Sequence, residues 1–391
     1  MENKKWILYF GGFELPDKNA AAQRASSVAK SFRELGYNVA LSGVSKDRLG
    51  QDEIIKSKNS LEDFERVTRL YPANLKEWIE YIVSSKKEIG IIEGYSNIAA
   101  VICYDYPSLT IWQLNKYCKD KGIKFIVDIA EWYGPSKKIF PLNIIKNMDT
   151  SLRMKYVLPK LDNIICISKF LYDYYRKQVE NCILVPGTID KGDEKWLESM
   201  AYIPNSIFTL GYAGNPGPKC EKERIDLLIA AVCELNEEGF KCRIDLAGFQ
   251  KSNFEKDYPE ILEKPNYKDV INYLGRLPHK DCIKLIKRVD FSIIAREDNR
   301  ITRAGFPTKL SESFGCGTPV ITTPSGNVAD YVVKGENGFV TEGFSYEKIK
   351  ESIKNSINLS KEKLLEMHRL TAKNNPLDYR RFNEELKKIM D

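Results

Sequence analysis

The chain has 391 residues, of which 43% are hydrophobic and 29% are charged. This length predicts two or three domains, and the composition excludes a disordered chain, a collagen and a small disulfide scaffold. The net charge of +6 comes from 60 basic and 54 acidic residues, which is too balanced to indicate a nucleic-acid-binding protein. The sequence shows neither a long apolar run nor a signal-peptide pattern, so we expect a cytoplasmic protein.

The spacing of the nine cysteines and two histidines indicates neither a metal site nor a catalytic triad. No two cysteines form a C-x-x-C pair, so we expect no structural zinc site and predict reduced core thiols. We expect His279 to cap a helix start or to face solvent, and His368 to lie on a helix surface. Two histidines also leave little room for Ser-His-Asp chemistry.

In the first half of the chain, short apolar runs alternate with amphipathic stretches of helical length. The runs predict strands at Trp6–Phe10, Val39–Val44, Val101–Tyr104, Phe125–Ile129, Ile164–Ile167 and Ile183–Val185. The amphipathic stretches predict helices at Ala20–Leu35, Leu109–Lys121 and residues 169–179. This order predicts right-handed βαβ units around a parallel sheet.

The same alternation restarts after residue 204. It predicts strands at Phe208–Ala213, Ile244–Ala247, Ile271–Leu274, Phe291–Ala295 and Pro319–Thr322. It predicts helices at Glu221–Leu235, Thr308–Phe314, residues 345–373 in two pieces, and Tyr379–Ile389. We therefore predict an α/β protein with two Rossmann-like, doubly wound domains facing a central cleft, where the carboxyl ends of the strands bind ligands.

The strongest motif runs from Arg303 to Ile321 and reads RAGFPTKLSESFGCGTPVI. It predicts a glycine-containing loop, a short helix, a glycine stop and a buried strand. The amides at such a helix start, with the charge of Lys309, suit a diphosphate, and Glu312 can accept hydrogen bonds from sugar hydroxyls. The alternative is that Thr308 caps the helix and Glu312 only favours its positive end.

Further motifs follow in order along the chain. They are Gly11-Gly12 with Asn19–Arg24, Asp128–Tyr133, Asp162–Ser168, Val185–Asp190, Gly211–Gly214 followed by Lys222 and Asp226–Ala231, Leu274–Pro278, and Gly335–Gly338. Together with the strongest motif, their order resembles the retaining GT-B glycosyltransferases of family four (glycosyl transferases group 1), of the surface-polysaccharide type. The resemblance covers most of the chain. It implies an acceptor-side domain at residues 1–204, a nucleotide-sugar-binding domain at 205–375, and a C-terminal helix at 376–391 that crosses back to the first domain.

The resemblance also implies roles for individual residues. Donor contacts are expected from Gly12, Asn215, Lys222, Arg276, Pro278, Gly305, Phe306, Pro307, Thr308, Lys309, Leu310 and Glu312. Acceptor-side contacts are expected from Arg24, Asp105, Glu131 and Trp132. Lys222 and Lys309 would stabilise the leaving diphosphate, and Glu131 would orient or deprotonate an acceptor hydroxyl. The alternatives are a solvated charge for Lys222, a polar loop residue for Glu131, a plain loop for Tyr104-Asp105-Tyr106 and a tight turn for Gly11-Gly12.

One position departs from the family pattern. The family usually has two glutamates, and Ala304 stands where the first is expected, so the donor sugar stays open and Glu297 or Arg300 is a candidate substitute. The implied function is retaining transfer of a sugar from a nucleotide-sugar, UDP-linked in our prediction, to a glycan or polyprenyl-linked saccharide in capsule, O-antigen or lipopolysaccharide synthesis. The alternatives are an inert GT-B partner that only binds nucleotide or glycan, and a nucleotide-sugar 2-epimerase. No cofactor is expected, because the nucleotide-sugar is a substrate. The resemblance also implies no essential metal, because GT-B enzymes need no Asp-x-Asp manganese motif and none is evident in this sequence.

The excess positive charge is concentrated in residues 137–177, which hold nine Lys or Arg against three Asp. Apolar residues alternate with these charges. One hypothesis is a peripheral contact with an anionic membrane, at the inner face of the cell membrane. The alternative is a core-facing amphipathic helix with a solvated basic face.

Overall fold

A computed structural model describes residues 4–15, 18–46, 54–58, 64–132, 134, 142–197 and 202–391. The chain divides into two compact units. The first unit comprises Met1–Thr188 and Tyr379–Asp391, and the second comprises Ile189–Asp378. The predicted boundary at residue 204 therefore falls inside the second unit.

The first unit is built on an eight-stranded sheet in the order β3-β4-β2-β1-β5-β6-β7-β8. Its strands are β1 (Trp6–Gly11), β2 (Asn38–Ser45), β3 (Ile54–Lys58), β4 (Glu65–Leu70), β5 (Ile98–Tyr104), β6 (Lys124–Ile129), β7 (Asn163–Cys166) and β8 (Asn181–Leu184). The β3–β4 pair is antiparallel, and the other neighbouring pairs are parallel. The strand order reverses at β1 and β5, which is where doubly wound sheets bind ligands.

Six helices belong to the first stretch of this unit. They are α1 (Ala20–Glu34), α2 (Leu75–Val83), α3 (Lys86–Glu93), α4 (Ser108–Asp120), α5 (Leu142–Leu152) and α6 (Lys169–Tyr175). A π-helical turn, Arg153–Val157, and a 3₁₀ turn, Leu158–Lys160, continue α5. Asn19 is the N-cap residue of α1, and its side chain accepts a hydrogen bond from the Ala22 amide, so a capping side chain fixes the predicted helix start at Ala20.

The second unit contains a six-stranded parallel sheet in the order β11-β10-β9-β12-β13-β14. The strands are β9 (Phe208–Ala213), β10 (Cys242–Ala247), β11 (Ile271–Gly275), β12 (Phe291–Ile294), β13 (Val320–Thr322) and β14 (Gly338–Val340). The helices are α7 (Glu194–Leu197), α8 (Ile225–Glu237), α9 (Lys251–Asp257), α10 (Tyr267–Val270), α11 (His279–Arg288), α12 (Arg300–Ala304), α13 (Thr308–Gly315), α14 (Tyr346–Ile357) and α15 (Lys361–Lys373). The strand order reverses at β9 and β12.

The last segment returns to the first unit through a 3₁₀ turn, Tyr379–Phe382, and helix α16 (Asn383–Met390). The Tyr379 hydroxyl donates to Glu34 at the end of α1, and Leu386 is fully buried in the first unit's core. Burial of Leu386 and the hydrogen bond from Tyr379 to Glu34 of α1 together hold the segment to the first unit.

The segment between Ile189 and Tyr202 explains the position of the unit boundary. The Ile189 amide donates to the Leu377 carbonyl, and Trp196 is buried against Ile283. Tyr202 stacks on His368. These contacts attach residues that sequence reasoning placed in the first domain to the second unit. No helix among the described residues is long and apolar enough to span a membrane.

Candidate functional site

Helix α13 in the second unit begins without a capping side chain. Its N-cap residue is Pro307, and no side chain there accepts a hydrogen bond from the first-turn amides. Thr308 is the first helical residue, so the alternative in which Thr308 caps the helix is wrong. Amides at a helix start carry partial positive charge and attract an anion, which fits the predicted diphosphate contact of Gly305 to Thr308.

Lys309 lies in the first turn of α13, and a buried carboxylate holds it there. Its Nζ is 2.8 Å from Glu223 Oε2, and the Tyr212 hydroxyl donates to the same oxygen. Burial alone would raise the pKa of Glu223, but the charges of Lys309 and Arg296 outweigh it and lower this pKa below its usual value. The lysine charge is therefore fixed in place before any ligand arrives.

Two glycines leave room for the Lys309 side chain. Gly214, directly after β9, has φ +154°, and a Cβ atom there would lie 2.1 Å from Lys309 Cε. Gly248, after β10, has φ +106°, and a Cβ atom there would lie 2.3 Å from the Gly214 carbonyl oxygen. The glycines at these two strand ends thus let the lysine side chain lie across the loop after β9.

The loop from Gly214 to Lys222 contains unusual backbone conformations. Lys219 and Cys220 have φ of 47° and 51°, which are rare for residues other than glycine. The Asn215 side chain accepts from the Gly217 amide at 3.0 Å, and Tyr258 donates to the Lys219 carbonyl at 2.8 Å. Strained backbone held by such contacts is common at binding sites. Asn215 and Lys222 are exposed, as their predicted donor contacts require.

Glu312 lies one turn beyond Lys309, near the loop after β11. Its Oε1 is 3.7 Å from Nε2 of His279, the first residue of α11. Arg276 and Pro278 precede His279 and are exposed, and Gly275 turns the chain with φ +65°. The structure therefore brings the predicted ribose-binding carboxylate close to the predicted base-binding loop.

Three predicted donor residues have buried side chains. Phe306 packs edge-to-face against Tyr331, and Pro307 and Leu310 are also buried. Packing therefore corrects the prediction for their side chains, and only their backbone groups remain available to a donor. Ala304, which stands where the family usually has its first glutamate, is the last residue of α12 and is fully buried. A glutamate side chain at this position would therefore be shielded from solvent.

In the first unit, the glycine pair lies at the end of β1, with Gly11 as the last strand residue, at the reversal of strand order. A Cβ atom at Gly11 would lie 2.4 Å from the Phe13 ring, whereas a Cβ atom at Gly12 would meet nothing within 4 Å. The Arg69 guanidinium donates to the Gly11 carbonyl at 3.1 Å. Gly11 is thus required by packing, and the open space at Gly12 is compatible with its predicted ligand contact.

Three carboxylates of the first unit, Asp105, Asp128 and Glu131, lie at the ends of β5 and β6 and interact electrostatically. Asp105 follows β5 with a left-handed backbone, φ 47°, and its amide donates to the Asp128 carbonyl. Burial raises the pKa of Asp105 to about 7; Arg153, 3.8 Å away, opposes this shift, and Glu131 and Asp128 add to it. A strained carboxyl group that titrates near neutrality is typical of functional sites.

Of the other three predicted acceptor-side residues, Glu131 is exposed, whereas Arg24 and Trp132 are buried. Glu131 is exposed just beyond β6 and acts electrostatically on Asp105. Arg24 is 2% exposed, with its Nη2 2.6 Å from Asp128 and its Nη1 donating to two backbone carbonyls. Trp132 is buried against Phe170 and Tyr174. Packing and a buried ion pair therefore give Arg24 and Trp132 structural roles in place of acceptor contacts.

Sequence reasoning missed Glu223 and Arg153 because their partners are distant in sequence. Glu223 follows Lys222 and looks like a solvated helix-start charge, and Arg153 looks like one basic residue among many. The sequence holds no clear signal for Glu223, because Glu221 and Asp226 lie within three residues of it. Among the described residues, no group of three or more His, Cys, Asp or Glu is arranged to hold a metal ion.

The segment that contains Lys222, Lys309 and Glu312 matches a known family. Residues 220–374 match the model of the family described as Glycosyl transferases group 1. The matched segment lies entirely within the second unit. A curated relative, the uncharacterized glycosyltransferase MJ1178 of Methanocaldococcus jannaschii, is 24% identical over 205 residues, which make up 52% of this chain and 52% of that protein. The chain thus spans about half the length of this curated relative.

Solved structures resemble the whole chain. Sucrose-phosphate synthase from Thermosynechococcus elongatus aligns with TM-score 0.70, 12% identity and 98% of each chain covered. HepE from Anabaena, in complex with UDP, aligns with TM-score 0.63 and 13% identity over 97% of this chain and 98% of that chain. The structural neighbours are GT-B glycosyltransferases, and the predicted α/β fold with two Rossmann-like domains is confirmed.

Proposed function

We propose that this protein is a retaining glycosyltransferase that moves a sugar from a UDP-linked donor to an acceptor hydroxyl. The observation that carries the proposal is the arrangement on α13: an uncapped helix start, Lys309 and Glu312 within two turns, inside the family-matched segment. The choice of UDP is supported by the UDP and UDP-glucose complexes of the structurally similar HepE from Anabaena.

The donor diphosphate would lie at the start of α13. As the bond from the anomeric carbon to the diphosphate oxygen breaks, negative charge develops on the leaving group. The first-turn amides and Lys309 stabilise this charge without moving, because Glu223 already fixes the ammonium. Lys222 adds a second positive charge from the loop after β9. Glu312 accepts hydrogen bonds from the ribose hydroxyls, and the Arg276–Pro278 loop contacts the base.

The acceptor would bind at the carboxyl ends of β5 and β6. Asp105 and Glu131 accept hydrogen bonds from neighbouring hydroxyls of the acceptor and so orient the reacting hydroxyl, whose single proton stays available to the leaving diphosphate. The carbon–oxygen bond forms on the face that the diphosphate leaves, and the hydroxyl proton passes to a leaving diphosphate oxygen. This front-side displacement retains the anomeric configuration and needs no histidine.

We further propose that the acceptor is a glycan or a polyprenyl-linked saccharide, and that the product enters a capsule, O-antigen or related surface polysaccharide. The setting is the cytoplasmic side of the cell membrane. No metal is assigned to the reaction, because Lys222, Lys309 and the helix start supply the positive charge that the leaving diphosphate needs.

The test is time-dependent release of UDP from a panel of UDP-sugars, with saccharide and lipid-linked saccharide fractions as acceptors. The parent is expected to release UDP only when a competent acceptor is present, and the linkage in the product is expected to have the donor's anomeric configuration. Glu312→Ala should lose most of this activity. Glu260→Ala removes an exposed carboxylate elsewhere on the second unit and should behave like the parent.

Two outcomes would contradict the proposal. Binding of UDP without release from any donor and acceptor combination would favour the inert partner. Release that is equal in the parent and in Glu312→Ala would remove α13 from the donor site.

A further inference from the structure

A cavity of about 390 Å³ lies at the carboxyl end of β4 in the first unit. It is lined by residues of β4, α2 and α3 and of the segments that join them. Ligand pockets have volumes of roughly 300–1,000 Å³, so this cavity has the size of a small-molecule site. None of its lining residues has a role in the donor or acceptor contacts proposed above.

The buried part of the lining is an ion pair. Arg69 Nη1 lies 2.7 Å from Glu88 Oε1, and the two side chains are 7% and 5% exposed. Arg69 Nη2 donates to the carbonyls of Gly11 and Ser42, at 3.1 and 3.2 Å. Because these contacts anchor the guanidinium to β1 and β2, the pair is in place before any ligand arrives, which lowers the cost of binding.

The charges around the cavity cancel. Three lining residues are basic and three are acidic, namely Arg69, Lys76, Lys87, Glu77, Glu80 and Glu88. A phosphate or carboxylate ligand would require an excess of positive charge. An apolar ligand would remove water from these charged groups without replacing its hydrogen bonds. The lining therefore fits a neutral ligand that both donates and accepts hydrogen bonds.

Two further lining residues indicate the class of ligand. Tyr81 supplies an aromatic ring, which packs against Trp78 and Tyr106 at centroid distances of 5.9 and 5.6 Å. Ser84 supplies a hydroxyl. A sugar ring presents C–H groups, which pack against aromatic rings, and hydroxyl groups, which donate to carboxylates and accept from lysine and arginine. We propose that this cavity binds a neutral sugar residue.

The described part of the basic stretch at residues 137–177 does not contribute to the cavity lining. The alternative in which this stretch is a core-facing helix is wrong for α5, whose exposed apolar side chains are Ile144, Ile145, Met148 and Leu152. Residues 135–141, including Lys137 and Lys138, lie outside the described residues. The membrane contact of this stretch stays a prediction.

The cavity is connected to the candidate acceptor site through Tyr106, which directly follows Asp105. The Tyr106 hydroxyl donates to Glu88 at 3.2 Å, and Arg153 donates to the Tyr106 carbonyl at 3.1 Å. Assigning the bound sugar to the acceptor rests on the proposed sugar transfer. On that basis the cavity holds a non-reacting sugar of the acceptor, so the acceptor is an oligosaccharide, free or polyprenyl-linked.

The experiment is titration of the full chain, without donor, by saturation-transfer difference NMR. The probes are methyl glucoside, methyl galactoside, methyl mannoside, N-acetylglucosamine, lactose and maltose, with inorganic phosphate as a competitor. At least one of these neutral sugars should bind, and phosphate should not displace it. Ser84→Leu, which fills part of the cavity with a group that forms no hydrogen bonds, should weaken this binding at least about tenfold. Ser96→Leu, at an exposed serine between α3 and β5 at the amino edge of the same sheet, is the matched control and should bind like the parent.

Glu80→Ala keeps the test decisive if Ser84→Leu fails to fold. Glu80 is exposed on α2, so thermal unfolding of this variant should match the parent, and this is checked first. Loss of the hydrogen-bonding carboxylate should weaken sugar binding at least about threefold. Glu260→Ala, at an exposed carboxylate of the second unit, is its control.

Absence of binding by every sugar probe would overturn the proposal, as would equal affinities in the parent, Ser84→Leu and Glu80→Ala. Displacement of the sugar by phosphate would also overturn it, because the cavity would then be an anion site. Because no donor is used, a failure here is distinguishable from a failure of sugar transfer, which the UDP-release assay measures. In that assay Ser84→Leu should raise the KM for an oligosaccharide acceptor and leave the KM for the UDP-sugar unchanged; an unchanged acceptor KM would overturn the assignment to the acceptor.

Discussion

Replacing Asp105 by asparagine should stabilise the first unit, and increasingly so as the pH rises. Asparagine has the same shape and accepts the left-handed backbone at φ 47° as readily as aspartate does. The substitution therefore removes the charge and leaves the loop conformation intact. If the carboxylate is kept for acceptor chemistry, its removal should raise stability while lowering transfer activity.

The size of the effect follows from the pKa. Burial, reinforced by Glu131 and Asp128 and opposed by Arg153, raises the pKa of Asp105 from 3.8 to about 7. Because the folded-state pKa is raised, ionisation costs stability, and this cost grows between the unfolded and the folded pKa values as the pH rises. At about 1.4 kcal/mol per pKa unit, the cost is about 1.5 kcal/mol at pH 5 and about 4 kcal/mol at pH 8.

Urea unfolding of the parent and Asp105→Asn between pH 5 and 8, followed by tryptophan fluorescence, measures this difference. Of the five tryptophans, Trp6, Trp78, Trp112 and Trp132 lie in the first unit, so the signal reports mainly on it. Asp105→Ala is the control for the backbone, since alanine adds about 1–2 kcal/mol of left-handed strain at every pH. An asparagine variant that is less stable than the parent at all pH values would refute the reasoning, because the pair with Arg153 would then be net stabilising.

Three further substitutions test other parts of the structure. Gly214→Ala should displace the Lys309 side chain and weaken UDP binding by about tenfold in calorimetry, whereas Gly239→Ala, also at positive φ but with no atom within 4 Å of the new Cβ, should lose stability without losing UDP affinity. Burial lowers the pKa of His368 to about 3, so parent stability should fall by about 1.4 kcal/mol per pH unit below pH 6.5, and His368→Gln should flatten this slope in urea unfolding. Arg24→Met should cost about 3–5 kcal/mol in the same assay, because it leaves a buried carboxylate unpaired, and a cost below about 1 kcal/mol would show that the ion pair is dispensable.

Much of the fold was predictable because it is locally encoded. Apolar runs and helical spacing place β9 and α13 at or within a residue of their observed starts, and Asn19 caps α1 where the helix was expected. Strands β3 and β4 and helices α2 and α3 were not predicted. Polar residues interrupt the apolar pattern of β3 and β4, so periodicity gives little signal for these strands, whereas the apolar residues of α2, Leu75, Ile79 and Val83, recur at helical spacing and were overlooked.

The candidate site was predictable in its main chain and less so in its side chains. The sequence pattern around Lys309 and Glu312 predicts a loop and a helix start. Both are features of the main chain and do not depend on the direction in which side chains turn. Whether Phe306 or Trp132 turns toward a ligand or toward the core depends on neighbours distant in sequence, such as Tyr331 and Tyr174. The expected surface position of His368 is wrong for the same reason: it is buried against Tyr202.

The central claim is that α13 forms a nucleoside diphosphate site in the second unit. Thermal unfolding with UDP, GDP, ADP, CMP and TDP, for the parent and for Glu312→Ala, tests it most directly. A ligand at 100 times its dissociation constant stabilises by about 2.7 kcal/mol, which is a readily measured shift in melting temperature. We predict that UDP raises the melting temperature of the parent and has little effect on Glu312→Ala. Equal shifts in the two proteins, or no shift with any of the five nucleotides, would contradict the account.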